Sequence, residues 1–123
     1  MPYTQPPHLN DNEIEEFIKS AKVARICSHN KDGTIHAVPV WYYYENGRLF
    51  IGSPKTSRKI GNIRRNGNVT ILIDEFGPLT RGIIIYGKAN IDEEMLEDTA
   101  ISIFKRYMPQ EKVKGYYKGL AEI

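Results

Sequence analysis

The chain has 123 residues, 41% hydrophobic and 11% aromatic, and a formal charge of only +2. That is the size of one domain able to bury a core without metal or disulfide staples; the composition excludes a disordered chain, and the charge is too mild to argue by itself for nucleic acid, so a nucleic-acid-binding small barrel stays the lesser alternative. Cys27 stands alone, so no disulfide forms within the chain, and no run approaches the roughly 18 apolar residues of a membrane-spanning helix; a soluble cytoplasmic domain is expected.

The start, "MPYTQPPHLN", lacks the basic-then-apolar profile of a secretory leader. Its prolines predict an extended arm over residues 1–10. "NDNEIEEFIKSAK" then reads as a helix. Asn10 and Asp11 supply caps, and Ile14, Phe17, Ile18 and Ala21 fall on one face. Acids near its start and lysines near its end suit the helix dipole. Next, the turn signals "NKDG" and "ENG" separate three runs rich in β-branched and aromatic residues. They predict a three-stranded antiparallel meander: Val23–Ser28, Thr34–Tyr44 and Arg48–Ser53. Pro39 interrupts the longest run beside Trp41. Proline donates nothing to a ladder, so this position marks an edge, a bulge or a place where the sheet opens.

"TSRKIGNIRRNG" has the shape of a short helix, capped by Thr56 or Ser57, with Ile60 and Ile63 inward and Asn66-Gly67 at its end. Arg64 and Arg65 fall in the last turn, where the dipole favours cations. Arg58 and Lys59 fall in the first turn, where each misplaced cation costs a few tenths to about 1 kcal/mol at low salt. The two longer predicted helices, "NDNEIEEFIKSAK" and "DEEMLEDTAISIFKRYM", obey the dipole rule. An anion at this terminus reverses the sign of the penalty, because free backbone N–H groups, a hydroxyl and two cations converge on it. These residues alone leave two readings open, a bound phosphate and incidental surface charge. A nucleic-acid strip needs basic residues spread along a face with stacking rings. Of Tyr42, Tyr43 and Tyr44, at most two share a face of a strand, so nucleic acid is not the expected partner.

"NVTILIDE" and "TRGIIIYGKANI" predict two further strands joined at Gly77-Pro78. "DEEMLEDTAISIFKRYM" predicts a helix with Met95, Leu96, Ala100, Ile103, Phe104 and Tyr107 on its apolar face, stopped by Pro109. "EKVKGYYKGLAEI" has weak helical character. Five or more strands with helices between and after them predict one α+β domain over 1–123 built on a small barrel-like antiparallel sheet.

The ordered set "ARICSHNKDGTIHAVPVWYYYENGRLFIGS", "SRKIGNIRRNGNVTILID" and "RGIIIYGKA" resembles the pyridoxamine 5′-phosphate oxidase-like, FMN-binding split-barrel proteins, from about Glu13 to Ile91. The resemblance implies a homodimer with a flavin in each cleft between subunits. It assigns the flavin phosphate to the helix start at Thr56, Ser57, Arg58 and Lys59. It lays the isoalloxazine ring along the proline strand, at His36, Val38, Pro39, Val40 and Trp41, and places Gly52 and Ser53 against the cofactor. In some members the strand matching "RGIIIYG" reaches the flavin of the other subunit, which implies that role for Arg81 and Gly82. Some branches bind deazaflavin F420 or haem instead of FMN.

The vitamin B6 oxidases proper hold their phosphorylated substrate with an Arg and a His in a C-terminal segment, and no such pair follows Tyr107. Many members also carry a final strand after the long helix, where this sequence ends at "KGLAEI". Gly82 stands where some members have glutamine, which leaves only a backbone contact there. The implied function is an FMN-dependent oxidoreductase of unassigned small-molecule substrate, with a non-catalytic flavin, F420 or haem module as the alternative. The flavin supplies the redox chemistry, so no catalytic acid or base is named. His8 and His29 fall in arm and turn, and the three histidines and Cys27 lack metal-ligand spacing.

Overall fold

A computed structural model describes residues 8–78, 80–93 and 97–121, with side chains described as far as residue 115. The expected N-terminal arm falls mostly outside these residues, as do Met95 and Leu96 of the expected apolar helix face. The described elements run α1 (Asp11–Ser20), β1 (Ala24–His29), β2 (Ile35–Val40), β3 (Tyr43–Glu45), β4 (Arg48–Phe50), α2 (Arg58–Arg65), β5 (Asn68–Glu75), β6 (Arg81–Lys88), α3 (Glu97–Phe104) and α4 (Gln110–Ala121). The chain is α+β, with an antiparallel sheet flanked by helices. No helix of the described residues is long and apolar enough to cross a membrane.

The helix starts follow their sequence signals. The Asn10 side chain accepts from Glu13 N–H and the Glu13 carboxylate accepts from Asn10 N–H, both at 2.9 Å, closing a capping box on α1. Phe17 and Ile18 of that helix are buried. At "ENG", Asn46 (φ 51°) and Gly47 (φ 76°) take the left-handed conformations that a tight hairpin turn requires.

Strands β2, β1, β5 and β6 form one antiparallel sheet in that order. Burial alternates along each strand. Ala24, Ile26, Val40, Val69, Ile71 and Ile73 face inward to a core that also takes Phe17, Ile18, Ala21, Tyr42 and Ile63. A smaller core joins Ala100, Ile103 and Phe104 of α3 to Val113 of α4. The weak helical character of the last segment becomes a helix of 12 residues because Val113 docks there.

The expected meander is not formed. The long middle run divides: β2 pairs with β1, while β3 pairs only with β4 as a separate two-stranded sheet, and no ladder joins the two sheets among the described residues. The third run also stops early, at Phe50, leaving Gly52 and Ser53 outside the ladder. The cause of the division is at Tyr42. Its N–H donates to the Tyr107 hydroxyl at 3.0 Å and its carbonyl accepts from the Arg106 guanidinium, so its backbone is satisfied by side chains rather than by a strand. Its ring is fully buried, and its hydroxyl proton is shared between the carbonyls of Ile18 (2.6 Å) and Ala21 (2.8 Å) at the end of α1. Burial pushes the Tyr42 hydroxyl pKa up, against a smaller opposing pull from Arg106.

Arg106 also donates to the carbonyls of Lys19 (3.1 Å) and Ala21, and lies 4.1 Å from the Tyr42 ring centroid. It thereby satisfies the orphan carbonyls at the end of α1 with charge-assisted bonds. Pro39 lies on edge strand β2, paired with Arg25 in an unbroken register, so of the three readings of this proline the edge holds and the bulge does not. The sheet opens two residues later.

Tyr42→Phe is expected to destabilise the chain by about 1–3 kcal/mol in urea unfolding, since the Ile18 carbonyl loses a buried donor and the Ala21 carbonyl keeps only Arg106. Tyr44→Phe, whose hydroxyl reaches Glu15 in an exposed position, should stay within about 0.5 kcal/mol. Equal effects would show that the Tyr42 hydroxyl does not hold the break.

Candidate anion site at the start of helix α2

Ser57 is the N-cap of α2, with extended backbone (φ −67°, ψ 151°), yet its side chain makes no capping hydrogen bond. Its Oγ is buried and, among the described residues, is the one buried side-chain nitrogen or oxygen without a partner. Its backbone is satisfied, with N–H to Pro54 O at 3.0 Å and the carbonyl accepting from Gly61 N–H at 3.3 Å. A buried hydroxyl left unpaired costs about 1–3 kcal/mol. The first turn of α2 holds no acid, and Arg58 and Lys59 follow the cap directly. Lys59 is half-buried, and that burial lowers its ammonium pKa.

Three defects of different kind therefore meet at one helix end. A hydroxyl has no acceptor, a cation is partly desolvated, and both cations stand at the positive end of a dipole. An anion with several acceptor oxygens relieves all three together. The residues present thus fit a phosphate group, with Ser57 Oγ–H, Lys59, Arg58 and the free first-turn N–H groups as donors.

The helix is held across the His29 end of β1 by its inner side. Asn62, buried between Ile60 and Ile63, donates to Ser28 Oγ at 3.1 Å and to Asn30 Oδ1 at 2.9 Å. Arg65 donates to Asn62 Oδ1 at 2.7 Å and to the His29 carbonyl at 3.1 Å. Sequence reasoning assigned Arg65 to the helix dipole and passed over Asn62 and Ser28. The signal was a polar residue at an inward position of each pattern: Ser28 after Ala24 and Ile26, and Asn62 beside Ile63. Arg64, by contrast, forms an exposed ion pair with Glu93 at 3.0 Å. The Asn30–Thr34 turn faces α2. The Thr34 hydroxyl and N–H, and more weakly Arg58, hold the Asp32 carboxyl below its usual range.

The other expected site residues distribute as follows. His36, Val38 and Val40 share the inward face of β2, and His36 stands opposite Ser28, next to the α2 network. Pro39 points to the outer face. Trp41 lies beyond the strand and is 40% exposed, its ring stacked on Tyr107 (centroids 4.8 Å apart, planes at 6°) and edge-on to Phe104. Gly52, Ser53 and the exposed Thr56 lie on the segment that leads from β4 into α2. Arg81 and Gly82 do not join this group. They begin β6, three strands from β2 or about 14 Å across the sheet, at the end opposite His29. Arg81 instead pairs with Glu75 at 3.1 Å and lies 4.9 Å from the Phe17 ring centroid.

An ordinary serine cap costs about 1 kcal/mol when replaced by alanine. Ser57→Ala in the ligand-free protein is expected to leave stability unchanged or to raise it, because the hydroxyl removed is unsatisfied. A loss of about 1 kcal/mol in denaturant unfolding would show that it caps the helix after all.

The fold recurs in solved structures. A conserved hypothetical protein of Mycobacterium tuberculosis aligns with a TM-score of 0.75 at 24% identity, over 88% of this chain and 72% of its own. An FAD-binding protein of Mesorhizobium loti aligns with 0.59 at 24% identity, over 70% and 63%. The haem storage protein HutZ of Vibrio cholerae aligns with 0.68 at 17% identity, over 85% and 79%. At these identities the likeness is one of fold. No curated protein matches. The family model described as pyridoxamine 5′-phosphate oxidase matches residues 11–121, nearly the whole chain, and the chain belongs to that family.

Proposed function

We propose that this protein is a flavin-binding oxidoreductase of split-barrel type that takes FMN, or the deazaflavin F420 in its place, and acts on a small molecule. The observation that carries the reading is the unpartnered Ser57 hydroxyl, buried at a helix start that bears two cations and no acid. Ser57, Arg58 and Lys59 hold the phosphate, Thr56, Gly52 and Ser53 line its approach, and β2 from His36 to Val40 flanks the ring. A flavin bound there supplies hydride or electron transfer, while the chain positions it and keeps water away. Membership of the family and a fold shared with an FAD-binding protein support flavin as the ligand class.

The partner in this reading is a second copy of the chain. Among the described residues, the large exposed hydrophobics are Val23, Ile35, Trp41, Phe76, Ile84 and Tyr86. Ile35, Ile84 and Tyr86 lie on the outer face of the four-stranded sheet. Val23, Trp41 and Phe76 continue the same alternation just beyond strand ends. A sheet face with exposed apolar side chains at both edges and the Arg25–Asp74 ion pair on the two strands between them suits the contact of a symmetric dimer. Arg81 and Gly82 lie far from α2 of their own chain, and a partner's cofactor is the remaining place for them to act.

A second reading rests on the fold likeness to a haem storage protein: a module that holds its ligand without turnover. The absorption spectrum of the purified protein separates the two, with flavin bands in the blue and near ultraviolet against a single intense haem band. Bleaching by NAD(P)H without oxygen marks the enzyme. A preparation that takes up neither FMN nor F420 overturns the flavin reading.

Arg58→Ala with Lys59→Ala is expected to weaken FMN binding by at least about tenfold, the loss of two charge-assisted contacts. Arg64→Ala, on the far turn and paired with Glu93, should change it less than about twofold in the same fluorescence titration. Equal losses would assign the effect to general charge. In sedimentation, Tyr86→Glu should convert a dimer to monomer and lower flavin affinity; a Tyr86→Glu protein that remains dimeric places the interface elsewhere.

A further inference from the structure

Asn62 is 3% exposed, and its side-chain amide bonds to Ser28 and Asn30 off the helix and to Arg65 on it. The orientation of its amide is dictated by chemistry. Arg65 has only donors, so Asn62 Oδ1 must face it, and both Nδ2 protons are then aimed at Ser28 Oγ and Asn30 Oδ1. Asn30 in turn donates to the Thr34 hydroxyl at 3.0 Å, which ties the whole β1–β2 turn into the network. Asn62 lies four residues after Arg58 and shares its side of α2. Ser28 stands opposite His36 on the inward face of the sheet.

We propose that Asn62 is a positioning residue: it sets the separation between the anion site at the start of α2 and the β2 face beside His36. The proposal rests on the flavin reading above, since only a ligand that carries both a phosphate and a ring touches both parts. Free phosphate touches one part and does not feel their separation. Arg65 is the clamp that keeps the Asn62 amide in register, through its bonds to Asn62 Oδ1, the His29 carbonyl and the Gly61 carbonyl. A misplacement of about 1 Å between two halves of a site is enough to cost a large factor in a step that uses both.

The test uses the full chain as wild type, Asn62→Leu and Asn30→Ala. The second variant cuts only the tether to the turn, keeps the buried Asn62–Ser28–Arg65 bonds, and so folds even if Asn62→Leu does not. FMN binding is read by fluorescence and inorganic phosphate binding by phosphorus NMR. In ligand-free protein, amide exchange along α2 and the 30–34 turn is read by hydrogen–deuterium exchange.

Asn62→Leu should weaken FMN by about tenfold and Asn30→Ala, which keeps the Ser28 bond, by about threefold, both leaving phosphate within about twofold and speeding exchange in both segments. Unchanged FMN affinity, or parallel losses of FMN and phosphate, would overturn the positioning role. A wild type that binds phosphate but no flavin sinks the flavin reading instead. Exchange then still decides the tether, and unchanged exchange in both variants overturns it.

Discussion

The architecture depends on the way the chain leaves its sheet at Tyr42. A strand of the length written between Thr34 and Tyr44 would carry β2 straight on beside β1. Instead the Tyr42 N–H and carbonyl are taken by Tyr107 and Arg106, and the ring is sealed under the end of α1. A backbone whose polar groups are already satisfied gains nothing from a ladder. The chain therefore turns into a separate hairpin, β3–β4, whose return delivers Gly52 to Ser57 to the start of α2. One guanidinium, Arg106, binds the last carbonyls of α1, the carbonyl of Tyr42 and the face of its ring. Three segments far apart in sequence are locked by one planar cation, a geometry that lysine does not reproduce.

The candidate site has the opposite character. Elsewhere the described buried side chains find partners, Tyr42 and Asn62 several each. At α2 the Ser57 hydroxyl has none, Lys59 is partly desolvated, and Arg58 stands against the dipole. Local rules broken together at one point of an otherwise consistent chain mark a place organised for something other than stability. The buried Asn62 network lies one turn away and is fully satisfied, so the mismatch is confined to the outward end of the helix. Rigid support behind the unpartnered Ser57 hydroxyl is the kind of preorganisation that an anion site requires.

The outer face of the sheet carries a related message. Its exposed apolar side chains inside the sheet, Ile35 on β2 and Ile84 and Tyr86 on β6, follow strand alternation at the two edges, with Val23 and Phe76 just beyond the ends of the central strands. The expected cofactor residues Arg81 and Gly82 lie at the far edge from α2. In a single chain they have no common site with Ser57. Arg81 is engaged by Glu75 and the Phe17 ring on the inward side of β6, so the placement of these two residues bears on function only through the dimer proposed above.

Much of this was legible in residue order. The Asn10 cap, the apolar face of α1, the "ENG" turn and the edge position of Pro39 follow from local chemistry, because each is decided by neighbours within a few residues. The conflict at the start of α2 was legible for the same reason: a dipole and two cations meet on one turn. What the sequence by itself left undetermined involves partners distant along the chain. The break at Tyr42 is decided by Arg106 and Tyr107, some 65 positions on. The role of Arg65 is decided by His29 and Asn62, and the orphan state of Ser57 by what packs over it. Periodicity reports which face a residue takes, whereas a buried hydrogen bond depends on which donor the tertiary structure brings within 3 Å.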